Sequence, residues 1–235
     1  MRIAISGTSC MGKSTLISDF LKEWPSYSTT KTSYREVLKE KNTPHSDNTT
    51  KDTQWAILNF MIDELQKTTP KDKIIFDRCP IDNLVYSIWA NGKGVGDIDD
   101  EFIKKCLPIV KESLRQIDVI FYIPITKVAR TPEIVDDGFR SINKTYRTEI
   151  DNIFQIISME ARDNPESPFF SREDRPPMIE IFGEPRERIE MMKLYIDAEG
   201  DPFEEGQSLI SEEMLEVMER YGAGPDQKKI ITQHK

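Results

Sequence analysis

Short, wholly apolar runs alternate with longer amphipathic stretches along this chain. Ile3–Ser6, Lys73–Asp77, Asp118–Pro124 and Met178–Phe182 are too short for helices and too continuous in apolar character for half-exposed strands. They predict strands buried on both faces. A further strand, rich in Ser and Thr, is expected over Tyr27–Thr32. Between them the period changes to that of a helix. Helices are predicted over Lys13–Glu23, Tyr34–Lys41, Thr53–Gln66, Ile81–Ala90, Asp100–Gln116, Arg140–Ala161 and Glu187–Ile196. In Thr53–Gln66, Trp55, Leu58, Ile62 and Leu65 recur along one side. Asn42–Thr50, Asn91–Gly96 and Asn164–Pro177 read as loops from their Gly, Pro and Asx content. Buried strands separated by helices imply an α/β fold, with a parallel sheet covered on both faces. From Asp197 the pattern weakens. A polar linker over 201–206, an acidic amphipathic helix over 208–220 and a tail from Gly222 are expected. This divides the chain into a core of 1–196 and a C-terminal extension of 197–235.

The first strand–helix junction carries chemistry. Gly7-Thr8-Ser9-Cys10-Met11-Gly12-Lys13-Ser14-Thr15 satisfies G-x-x-x-x-G-K-[ST] between a strand and a helix, the context that makes the pattern a phosphate-binding P-loop. Glycines let the backbone curl until its N–H groups converge on phosphate oxygens, and the helix adds its positive end. Gly7, Cys10, Met11, Gly12, Lys13, Ser14 and Thr15 are the expected nucleotide-binding residues. Lys13 is expected to reach the β- and γ-phosphates, and Ser14 to ligate Mg²⁺.

Four other segments stand out. Asp77-Arg78 closes a buried strand at its C-terminal end, where ligands of open α/β sheets gather. There Asp77 can hold Mg²⁺ through water or take the proton of an acceptor hydroxyl, and Arg78 can hold phosphate. Asp82 is a weaker substrate-side candidate. Arg130, Arg140 and Arg147 flank the turn Asp136-Asp137-Gly138, suggesting a hinged cover over about 127–147. On a helix begun at Arg140, Arg140 and Arg147 share a face. Guanidinium groups there would stabilise charge on a transferring phosphoryl group. Tyr34-Arg35-Glu36, with Gln54, form a candidate sugar- and base-recognition group; Trp55 reads as core. Phe182-Gly183-Glu184-Pro185 is a tight turn whose backbone could line an adenine pocket, while Arg186 and Arg188 are given no role beyond solvation.

Charge and composition narrow the classes. A net charge of −9 with no basic stretch disfavours nucleic acid and anionic membrane as partners. The three cysteines lack metal-ligand spacing and read as free thiols. No run approaches the ~18 apolar residues of a membrane span. The expectation is a cytoplasmic protein.

These motifs resemble the P-loop nucleoside and nucleotide kinases: the N-terminal P-loop, Asp77-Arg78 after a strand, the arginine-bearing 130–147 segment and the 178–183 strand–glycine. The pattern is similar to thymidylate and deoxynucleoside kinases. Through Asp137-Gly138-Phe139-Arg140 and Tyr34-Arg35-Glu36 it is also similar to nicotinamide riboside kinase-like domains. The resemblance covers about 1–196. It implies a three-layer α/β/α fold with a five-stranded parallel sheet in the order 2-3-1-4-5. It implies Mg·ATP as donor and a nucleoside or nucleoside monophosphate as acceptor. Lys13, Asp77, Arg78 and Arg140 would be the catalytic set, Arg130 and Gly183 would join the ATP site, and Tyr34, Arg35, Glu36, Gln54, Asp82 and Arg147 would face the acceptor. A homodimer is among its implications. Cys79-Pro80 departs from thymidylate kinases, and Asp77 stands where deoxynucleoside kinases carry Glu. The compact lid is also similar to phage-encoded kinases, including those acting on hydroxymethyluracil in DNA. A regulatory NTPase switch is the alternative from another class, although the Asn-Lys-x-Asp run of GTPases is missing: Thr145-Tyr146 follows Asn143-Lys144.

Overall fold

The central strand β1 (Arg2–Ser6) is buried along its whole length, which its run of Ile-Ala-Ile requires. A computed structural model describes residues 1–40, 49–126 and 143–203 of the chain. In it β1 pairs in parallel with β3 (Ile74–Asp77) and with β4 (Val119–Tyr122). The edge strands β2 (Ser28–Thr29) and β5 (Met178–Glu180) complete a five-stranded parallel sheet in the order 2-3-1-4-5. The fold is the three-layer α/β/α arrangement.

Helices cover both faces. On one side α1 (Lys13–Glu23) and α7 (Pro185–Met192) enclose Ile3, Ile5, Leu16, Phe20, Phe121 and Ile189. On the other, α3 (Lys51–Gln66), α4 (Pro80–Lys93), α5 (Asp100–Leu114) and α6 (Lys144–Asp163) enclose the larger core around Leu58, Phe76, Leu84, Tyr122 and Phe154. The short α2 (Tyr34–Glu40) follows β2. No described helix is long and apolar enough to cross a membrane.

Several boundaries differ from the sequence pattern. The strand expected over Tyr27–Thr32 contracts to two residues, because an edge with only β3 beside it is paired briefly. The loop expected from Asn91 starts later. α4 runs to Lys93 and stops at Gly94, whose left-handed φ of 64° makes it the terminator rather than Gly92. α6 begins at Lys144, because Asn143 caps it by accepting from the Tyr146 N–H at 3.2 Å. α7 begins at Pro185, a favoured first helical residue.

The described start of the extension bonds to the core. Trp24 Nε1 donates to the Asp197 carbonyl at 2.7 Å, and the Tyr27 hydroxyl to the Gly200 carbonyl at 2.7 Å. Lys73 pairs with Asp201 at 2.9 Å. The helix expected over 208–220 and the tail lie outside the described residues.

Candidate active site

The phosphate loop leaves β1 at the C-terminal edge of the sheet. Gly7 has φ +132°, and a Cβ there would lie 2.7 Å from the Ile123 carbonyl oxygen, so the chain passes β4 only as glycine. Cys10 and Gly12 are left-handed, with φ 59° and 79°. Gly12 is the N-cap of α1 and provides no side-chain acceptor. The first N–H groups of α1 are therefore offered to whatever occupies the pocket in front. That pocket is lined by Ser9 through Thr15, with Tyr34, Asp77 and Arg78. The donor geometry and the Gly-dependent backbone suit a chain of phosphates.

Lys13 folds back over the loop, donating to the Gly7 carbonyl at 2.8 Å and the Thr8 carbonyl at 2.5 Å. Burial, and next the Arg78 guanidinium, push its ammonium down to about 7, against the pull of Asp77 and Asp82. Ser14 Oγ lies 3.4 Å from Asp77 Oδ2. A hydroxyl and a carboxylate at this spacing are hard oxygen donors of the type Mg²⁺ takes alongside phosphate and water. Among the described residues no group of three or more His, Cys, Asp or Glu forms a protein-only metal cage.

Asp77 ends β3, and Arg78 turns away with φ +82°, its N–H bonded to the Ile5 carbonyl at 3.0 Å. The Arg78 guanidinium is enclosed. It donates to Asp82 at 2.7 Å, the Gly7 carbonyl at 3.0 Å and the Tyr86 hydroxyl at 3.2 Å. The Tyr34 and Tyr86 ring centroids lie 5.3 and 5.1 Å from it. Fully buried Asp82 also accepts from Ser6 Oγ at 2.6 Å and from the Cys79 N–H at 3.1 Å, completing the capping box of α4. Asp82 thus faces the Arg78 corner rather than either pocket. Burial, and then the Asp82 charge, push the Cys79 thiol up.

A second pocket adjoins the first. Thr30, Thr32, Ser33, Phe60, Met61 and Glu64 line it, and the two share Tyr34, Asp77 and Arg78. These three residues, Asp77 among them, stand at the seam.

Other predicted residues are placed differently. Gln54 is buried and donates to Thr49 Oγ1 at 2.9 Å; its own Oε1 accepts from Asn83 Nδ2 at 2.6 Å. It joins α3 to α4 and lines neither pocket. Trp55 packs edge-on to Phe102, with Lys105 over its ring, and belongs to the core. Glu36 is exposed on α2. The Arg35 side chain, Arg130 and Arg140 lie outside the described residues. α6 begins at Lys144 after the Asn143 cap and carries Arg147; the helical face expected to join it to Arg140 lies outside the described residues. Arg147 itself turns under the phosphate loop, donating from Nε to the Ser9 carbonyl at 3.0 Å. Gly183 is left-handed, with φ 87°, and a Cβ there would strike the Glu187 carboxylate at 2.3 Å.

Arg188, given only solvation by the sequence, is buried. It donates to the Met11 carbonyl at 2.6 Å and the Gly183 carbonyl at 2.9 Å. Its partner in the phosphate loop, Met11, lies 177 positions away, so no local pattern could have signalled that contact. Asp151 was likewise missed. It accepts from the Tyr122 hydroxyl at 2.7 Å and the Ile125 N–H at 3.1 Å, fixing the exit of β4 against α6.

A sequence model of the family described as AAA domain matches residues 2–162. Comparison with curated proteins gives no match. Among solved structures, a deoxyadenosine kinase from M. mycoides, with products dCMP and dCDP bound, is similar with a TM-score of 0.59 at 16% identity. That likeness covers 82% of this chain and 96% of that one. A thymidylate kinase from Candida albicans gives a TM-score of 0.52 at 15% identity, over 82% and 89% of the two chains. A NadR protein in complex with NR gives 0.52 at 18%, over 93% of this chain and 50% of that one. The chain thus spans half the length of that NadR protein. At these identities the likeness shows the fold.

Proposed function

This chain belongs to the AAA domain family, and we propose that it is an ATP-dependent phosphotransferase that moves the γ-phosphate of ATP to a hydroxyl of a nucleoside or to the phosphate of a nucleoside monophosphate. The observation that carries this reading is the position of Asp77, at the seam between the phosphate-loop pocket and its neighbour. A carboxylate between a donor phosphate and an acceptor hydroxyl is what in-line phosphoryl transfer asks of a protein.

In this reading the loop N–H groups and Lys13 bind the β- and γ-phosphates. The acceptor sits beyond Tyr34, against Phe60 and Met61. Asp77 takes or orients the acceptor proton as the hydroxyl oxygen bonds to the γ-phosphorus and the bond to the ADP oxygen breaks. Lys13 leaves its two carbonyl partners to meet the phosphates. Ser14 and, through water, Asp77 would hold Mg²⁺, which when bound neutralises phosphate charge. Arg78 acts by fixing the corner rather than by touching phosphate, since its guanidinium is already paired.

The acceptor side favours a neutral hydroxyl compound. Asp77 and Glu64 both line that pocket, and Arg78, its one cation among the described residues, is paired with Asp82. A phosphate dianion placed there would face two carboxylates. We place the catalytic unit over 1–196, with the segment from about 127 up to α6 as its cover and 197–235 as an extension anchored at Trp24, Tyr27 and Lys73.

Transfer of labelled γ-phosphate to a panel of nucleosides, nucleoside monophosphates, nicotinamide riboside and hydroxymethyluracil-containing DNA tests the proposal. One labelled acceptor is the expected result. Labelled inorganic phosphate alone would move the assignment to an NTPase switch.

A further inference from the structure

The phosphate loop is gripped from behind by two buried arginines with no ion-pair partner among the described residues. Arg147, on α6, donates from Nε to the Ser9 carbonyl at 3.0 Å and from Nη2 to Met11 Sδ at 3.4 Å. Arg188, on α7, donates from Nη1 to the Met11 carbonyl at 2.6 Å and is itself fixed through Nε to the Gly183 carbonyl. Their relative exposures are 3% and 6%. The guanidinium of Arg188 lies against the loop, 3.3 Å from where a Cβ on Gly12 would be.

Peptide geometry gives these contacts a consequence. Every described peptide bond is trans, so a carbonyl and the N–H of the next residue point in opposite directions. Drawing the Ser9 carbonyl back turns the Cys10 N–H forward. Drawing the Met11 carbonyl back turns the Gly12 N–H forward. Cys10 and Gly12 are the two left-handed residues of the loop interior, and alternation of left- and right-handed residues builds an anion-binding nest.

We infer that Arg147 and Arg188 are positioning residues of the phosphate loop, holding its peptides so that the Cys10 and Gly12 N–H groups face the phosphates of ATP. The inference rests on reading this pocket as the ATP site. Neither arginine touches the nucleotide; each acts through the backbone it orients. The device is assembled from helices distant in sequence, and it lies beyond the P-loop pattern itself.

The test is ATP and AMP-PNP affinity by calorimetry, with acceptor KM and Tm, for Arg188→Met, Arg147→Met, Arg188→Lys and Arg147→Lys. Arg2→Met, which removes a buried arginine paired with Asp118 at the far end of β1, controls for general destabilisation. Each Met variant is expected to weaken ATP binding about tenfold, the scale of a lost charge-assisted hydrogen bond. Acceptor KM should be unchanged, and the Lys variants should recover part of the loss. Arg2→Met should lower Tm and leave ATP affinity alone. If a Met variant does not fold, its Lys counterpart decides, by weaker ATP binding at unchanged acceptor KM. Folded variants that bind ATP like the wild type overturn the inference, as does an equal affinity loss in Arg2→Met. Wild-type protein that binds no ATP removes the underlying reading instead.

Discussion

Arg78 stands on one side of the phosphate loop with a carboxylate 2.7 Å from its guanidinium, while Arg147 and Arg188 stand on the other with carbonyl oxygens and a thioether as acceptors. All three are buried. The difference lies in what each guanidinium holds. Asp82 pairs with Arg78 in place, so that corner ties β1, β3 and α4 together, while the Arg78 charge still acts on Lys13 across the pocket. The donors of the other two end on loop carbonyls and a thioether, with Asp151 and Glu184 acting on them only beyond ion-pair distance, so these two guanidinium groups hold loop backbone rather than a carboxylate. Residues of one type thus serve as fastener on one side and as support of the loop on the other.

Substitutions can break this contrast, and Asp77 lies between its two halves. Asp77→Asn is expected to lower kcat about 10³-fold, within the range for loss of an acid–base group, with ATP affinity nearly unchanged. Steady-state kinetics with calorimetric binding checks both. Lys13→Met removes the cation that must reach the phosphates. It is expected to reduce kcat/KM for ATP roughly 10²-fold or more, and its Tm should hold, because burial of that ammonium is itself unfavourable.

The carboxylate-paired side answers differently. Asp82→Asn leaves Arg78 buried without its counter-charge and should cost about 3 kcal/mol of stability, read by denaturant unfolding. ATP affinity of the remaining folded protein should fall little. A large affinity loss at unchanged stability would place Arg78 in the anion site and erase the contrast.

The smallest effect is a pH dependence. In the unbound fold Lys13 titrates at about 7, below its ordinary 10.5. Between those values the unfolded chain binds more protons, so this group makes the unbound protein more stable as pH rises. Phosphate favours the charged lysine, so ATP binding above pH 7 takes up a proton and weakens with rising pH, by up to roughly tenfold between pH 6.5 and 8. Calorimetry in buffers of different ionisation enthalpy measures the uptake directly. Proton release on binding would contradict it.

The parts legible in the sequence are those whose cause is local. Ile3-Ala4-Ile5 announces a buried strand, and Gly7, Gly12 and Lys13 announce the loop, because backbone geometry and spacing require those residues there. α1 spans the predicted residues Lys13–Glu23. Helix ends governed by a cap or a left-handed glycine moved by a few positions, as at Asn143 and Gly94. Side-chain destinations were harder to read. Arg147 was expected to face substrate and instead meets Ser9; Gln54 was expected at the acceptor and instead links α3 to α4. Arg188 offered no signal, because its role exists only once α7 packs beside the loop. Helical periodicity says which face of a helix is buried, but not which carbonyl waits there.

The most direct test of the account is the rate of ADP formation by the wild-type protein with and without a nucleoside acceptor, set against Asp77→Asn. The account predicts a rate that depends on one acceptor and is lost in the variant while ATP still binds. ATP hydrolysis that is indifferent to every acceptor and survives Asp77→Asn would contradict it.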